Sequence, residues 1–130
     1  MITYGIQAIF DGTFEEAEEA VRVALKEHGF GVLTEIDVRA TLKKKLNVEH
    51  PEYKILGACN PPLALKALTA EPEIGLLLPC NVIVYQKDSQ VIVSAMKPTA
   101  VLGVTDNHNI GTIAKEVESQ LQLVISSLED

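Results

Sequence analysis

The residues best suited to chemistry are two cysteines, each followed by asparagine and each beside a proline. The first lies in Leu56-Gly57-Ala58-Cys59-Asn60-Pro61-Pro62, the second in Leu78-Pro79-Cys80-Asn81. A thiolate is the nucleophilic and metal-binding form of cysteine, and the positive end of a helix favours it. Asn60-Pro61 is a helix start signal, asparagine at the cap and proline at the first helical position, so Cys59 stands just ahead of a helix N-terminus. Three uses follow if the two thiols share one pocket. They could line a small-molecule site, with Glu35, Asp37, Asn60 and Asn81 as further ligand-binding candidates. With the carboxylates of Glu35 and Asp37 they could hold a soft divalent metal such as zinc. Cys59 could also act as a nucleophile beside an acid.

Each of these residues has a plainer use. Free cysteine is often a small buried hydrophobe. Asn60 and Asp37 stand where helix N-caps are wanted, and Pro79-Cys80-Asn81 could simply bend a strand. No CxxC or HxxxH spacing supports a metal centre. His28, His50 and His108 are scattered over a helix end and two loops, where surface and capping roles are the common ones. Lys43-Lys44-Lys45 closes a short helix and complements its dipole. There is no GxSxG, no P-loop and no dinucleotide fingerprint.

The elements that would position the cysteines can be read from periodicity. Ile6, Ala8 and Phe10 alternate at period two with Ile2 and Tyr4 ahead of them, giving a strand that Asp11-Gly12 closes. Thr13 and Glu16 have the spacing of a capping box, and Phe14, Ala17, Val21, Ala24 and Leu25 form the apolar stripe of the helix behind it. Gly29 sits at its left-handed end. A second strand is expected over 30–38, with Val32, Thr34, Ile36 and Val38 on one face and Leu33, Glu35 and Asp37 on the other. A short helix with Asp37 as its cap follows to Leu46. A third strand runs from Tyr53 to Cys59, and a short helix from Asn60 ends at Pro72. Strands over 75–86 and 91–96 are joined by Lys87-Asp88-Ser89-Gln90, with Pro79 marking an edge or bulge in the first. Residues 98–109 read as a loop. The last helix begins near Ile110, and Leu123 and Ile125 widen its stripe enough to suggest burial on more than one side.

This order gives one α+β domain over residues 1–130, two layers deep, with a mostly antiparallel sheet packed by two long helices and short helices between strands. The 130 residues suit one domain whose core needs no disulfide. With 47% hydrophobic and only 5% aromatic residues, that core must be aliphatic. A net charge of -7 disfavours nucleic acid and anionic membrane surfaces. No apolar run is long enough to span a bilayer. Met1 to Gln7 carries neither a basic region nor a cleavage site, so the cytoplasm is the expected compartment.

Three separated motifs carry a family resemblance: Gly31-Val32-Leu33-Thr34-Glu35-Ile36-Asp37-Val38, Leu56-Gly57-Ala58-Cys59-Asn60-Pro61, and Gly75-Leu76-Leu77-Leu78-Pro79-Cys80-Asn81-Val82. Together they resemble the prokaryotic domain of unknown function 302. The resemblance implies a TBP-like fold with a curved antiparallel sheet and a homodimeric assembly. It implies no activity, and it transfers only the motif positions Glu35, Asp37, Cys59, Asn60, Cys80 and Asn81. A small-molecule or metal-binding domain is the first expectation. A homo-oligomeric interaction protein without catalysis and a thiol enzyme using Cys59 are the alternatives.

Overall fold

Glu16 N donates to Thr13 Oγ1 at 3.1 Å and Thr13 N donates to Glu16 Oε1 at 2.8 Å, closing the capping box of helix α1 (Phe14–Glu27). Gly29, at φ +83, ends the same helix in the left-handed region. The computed structural model describes residues 2–129. Its strands are β1 (Gly5–Phe10), β2 (Gly31–Asp37), β3 (Tyr53–Cys59), β4 (Cys80–Lys87) and β5 (Gln90–Met96). Its remaining helices are α2 (Val38–Leu46), α3 (Pro61–Ala70), the single turn α4 (Pro98–Val101) and α5 (His108–Leu128). The five strands lie in the order β1-β5-β4-β3-β2, every neighbouring pair antiparallel. The expected α+β class is therefore observed, with two long helices on a wholly antiparallel sheet.

One face of the sheet makes the core. Ala8, Leu56, Ala58, Val82, Val84, Val93 and Ala95 are buried against Val21, Ala24 and Leu25 of α1 and Leu121, Val124 and Ile125 of α5. Burial of each such Val or Leu contributes about 1.5–3 kcal/mol. A smaller cluster of Ala67, Ile74, Leu102, Ile110 and Ala114 packs at one end, between α3, α5 and the segment after α4. Leu78 and Ile113 border both clusters.

Four sequence expectations change. Val32 pairs with Ala58 and Thr34 with Gly57, so an irregularity at Leu33 puts Val32 and Thr34 on opposite faces of β2. Residues 72–77 form a 3-10 helix and β4 begins only at Cys80, because Pro72 opens a tight turn and Pro79 has no N–H to give a ladder. The supposed loop over 98–109 holds α4 and a 3-10 turn (Leu102–Val104), pinned when Thr99 N and Oγ1 donate to Glu118 Oε1 at 2.9 and 2.6 Å. On α5, Ile125 is buried in the core whereas Leu123 is exposed, so within this chain the wide stripe is buried on one side only.

Candidate functional site

Cys59 is the last residue of β3 and Cys80 the first of β4, and Ala58 pairs with Cys80 across the two strands. Both thiols are free and both line a cavity of about 320 Å³ at the seam between the two core clusters. Its wall is almost entirely carbon. Leu33 comes from β2, Leu63, Ala64 and Ala67 from α3, and Ile113 and Val117 from α5. Cys80 is 6% exposed and has no hydrogen-bond partner among the described residues, whereas Cys59 is half-buried. Burial, with the neighbouring Cys59 sulfur adding to it, pushes the Cys80 thiol up to about 11. At neutral pH Cys80 is therefore a thiol and a poor nucleophile. Any reactivity must reside in Cys59.

Small residues shape this end of the sheet on both faces. A Cβ on Gly57 would stand 2.1 Å from Thr34 Oγ1 and 2.8 Å from Pro79 Cγ, so both side chains can approach β3 only over a glycine. Gly57 itself is outside the cavity wall, since its side-chain position is on the face of Asn81, although Thr34 and Pro79 also border the cavity. Ala64 and Ala67, one turn apart on α3, and Ala58 on β3 leave room that larger residues would fill.

The other candidates separate from this site. Asn60 lines the cavity while its Oδ1 accepts from Leu63 N at 3.3 Å as the cap of α3. Asp37 caps α2, accepting from Ala40 N at 2.9 Å. Glu35 pairs with Arg22 of α1 and, at 3.4 Å, with Lys54 of β3. Neither carboxylate is part of the cavity wall. Asn81 is opposite Gly57 and, by strand alternation, faces away from Cys80. It borders a shallow concavity on the uncovered sheet face with Tyr4, Gln7, Tyr53, Tyr85 and Ser94. Of six candidates, three meet: Cys59, Asn60 and Cys80. Among the described residues no cluster of three or more His, Cys, Asp or Glu side chains could hold a metal ion. The thiol pair is thus without the third and fourth donors a structural zinc requires.

Sequence reading missed the apolar wall, in particular Leu33, Leu63, Ala64, Ala67 and Val117. The available signal was the set of small residues Ala58, Ala64 and Ala67 on elements otherwise rich in leucine.

Fold and site together define a small α+β domain with one apolar cavity at the junction of β3, β4, α3 and α5. The chain belongs to the family described as "Domain of unknown function DUF302", whose model matches residues 6–128. It is similar in structure to a protein of known crystal structure, the uncharacterized conserved protein DUF302 from Bacillus stearothermophilus. The two share 26% identity and a TM-score of 0.92, over 98% of this chain and 100% of the other. No curated protein matches the sequence. Among the described residues, no helix is long and apolar enough to cross a membrane.

Proposed function

We propose that this protein binds a small apolar molecule in the cavity walled by Cys59 and Cys80. The supporting observation is a half-open pocket of about 320 Å³ with a nearly all-carbon lining at the seam between the two core clusters. A cavity of about 150 Å³ lined by Leu, Ile and Phe stays dry and takes up benzene, and natural ligand pockets begin near 300 Å³. The volume here suits a ligand of about two rings or an equivalent chain. Two thiols without a third donor favour an uncharged body over zinc. Titration with N-phenyl-1-naphthylamine, followed by fluorescence, tests the reading. One dye per chain should bind, and the cavity-filling variant Ala64→Leu should lose at least tenfold in affinity with its circular dichroism and melting unchanged. Equal binding by the folded variant would overturn it.

A second reading concerns the uncovered sheet face. Ile9 and Ile36 are half-exposed there, beside Ile55, Ile83 and Ile92, and Tyr53 stacks on Tyr85 with centroids 5.3 Å apart. Apolar faces of this kind mark association surfaces, and the reading is a homodimer joined through this face. Sedimentation should give a dimer that Ile36→Lys dissociates. A monomeric wild-type protein would overturn it.

A further inference from the structure

The cavity is half open to solvent, and the exposed part of its lining is Leu33, Thr34, Leu68 and Gly75. Two large apolar side chains therefore stand at its mouth, Leu33 at 68% exposure and Leu68, near the end of α3, at 43%. Leu33 comes to the mouth through the irregularity in β2. Val32 pairs with Ala58 and Thr34 with Gly57, so Leu33 has no partner on β3 and stands out of the ladder. Gly75 belongs to the 3-10 helix over 72–77. A Cβ there would meet no atom within 4 Å, and the backbone is not left-handed, so neither packing nor conformation calls for glycine. What the glycine leaves is open space at the mouth.

Such a mouth suits a ligand that is still apolar where it leaves the cavity. A compact body held wholly inside would leave both leucines in water, whereas a chain running out over them would cover them, and removing apolar surface from water is favourable. The lining contains no Lys, Arg, His, Asp or Glu, and its only polar side chains are those of Thr34, Asn60 and the two cysteines. Nothing there would balance a charge carried in with the ligand.

Resting on the cavity reading above, we infer that the ligand is an uncharged, unbranched aliphatic chain, of the class of fatty alcohols, aldehydes and esters, long enough to fill the cavity and to run out over Leu33 and Leu68 past Gly75. Leu33 and Leu68 are then the residues that read chain length. The protein's net charge of -7 adds to the discrimination against a fatty carboxylate of the same length.

Displacement of bound N-phenyl-1-naphthylamine by 1-hexanol, 1-octanol, 1-decanol and decanoate at neutral pH tests this. Each two-carbon step along the alcohols should raise potency about fifteenfold, as two more methylenes leaving water would give. Decanoate should be roughly tenfold weaker than 1-decanol or worse, because its charge finds no partner in the lining. The double variant Leu33→Ser/Leu68→Ser, altered only at exposed positions, should keep the potency of 1-hexanol and lose most of the last step, leaving 1-decanol no more than about threefold better than 1-octanol. Gly75→Leu, placed where a Cβ meets nothing, should weaken 1-decanol and spare 1-hexanol with melting unchanged. A wild-type protein that binds 1-decanol no better than 1-octanol, a length dependence that both variants leave intact, or decanoate as the best of the series would overturn the chain assignment while the cavity reading stands. Failure of every alcohol to displace a dye that has bound would overturn the cavity reading and this inference with it.

Discussion

At its start β3 carries Lys54 into a cluster of charges, and at its end it carries Cys59 to the wall of a cavity with almost no polar surface. Lys54 Nζ lies 2.9 Å from Glu18 Oε1 and 3.4 Å from Glu35 Oε2, and Arg22 bridges the same two acids. Burial pulls the Glu18 carboxyl upward, but the hydrogen bonds from Lys54 and Arg22 outweigh it and hold the group below its ordinary value. The hydrogen bond to Glu18 raises Lys54 in turn. Every strong group there has a partner and none is left for a ligand. At the other end Cys80 has no partner, and the packing around it is incomplete. In this domain the conspicuous charges build the fold, and the quiet apolar end keeps the space that a ligand would use.

The largest effect is expected at Gly57, over which Thr34 and Pro79 close on β3 near the cavity end of the strand. Gly57→Ala should lower stability by about 3 kcal/mol, because the new methyl group would overlap Thr34 and Pro79 in a strand buried at that point. The shift of the urea midpoint measures it, and a loss under about 0.5 kcal/mol would mean that Thr34 and Pro79 yield freely.

A smaller effect separates the two ends by pH. Cys80 is held protonated up to about 11, against 9.0 for the unperturbed group. Below pH 9 the thiol is neutral in both states and contributes no pH dependence. Above it the unfolded chain ionises first, so stability falls as pH rises, by about 2 kcal/mol at pH 11. Cys80→Ser should remove that part of the alkaline slope, as denaturant titrations from pH 8 to 11 would read. The charged end behaves differently. Lowered in the folded state, Glu18 contributes above its unfolded value, and the contribution is lost as pH falls through the folded one. Lys54, raised in the folded state, contributes below 10.5 and loses this only as pH rises through its higher folded value.

The smallest effect is expected where the charges are most visible. Lys54→Met should cost about 1 kcal/mol, since Glu18 keeps Arg22, and the loss should shrink in 1 M salt. Dye binding should not change, because Lys54 is at the far end of β3 from the cavity. A change in dye affinity would join the two regions that the structure separates.

These contrasts also explain which parts were legible in the sequence. Helix caps are local chemistry, so Thr13, Asp37 and Asn60 announce the starts of α1, α2 and α3 within a few residues. The irregularity at Leu33 and the 3-10 helix over 72–77 depend on pairing with β3 and on packing of Ile74, which no local pattern encodes. The same holds for the site. The doubled Cys-Asn pair was visible, but Asn81 follows Cys80 by one residue and so lies on the opposite face. Glu35 looked placed for chemistry because its partner Arg22 is thirteen residues away in sequence and adjacent only in the fold. A void has no residue of its own and leaves only an indirect trace, the small side chains around it.

The central claim, an apolar ligand seated against the thiols, is tested most directly by the rate at which iodoacetamide alkylates Cys59 with and without N-phenyl-1-naphthylamine, read by intact-mass spectrometry. The account predicts at least a tenfold slowing at saturating dye, with Cys80 unmodified throughout at pH 8. An unchanged rate with the dye bound would place the dye elsewhere and contradict the cavity as the binding site.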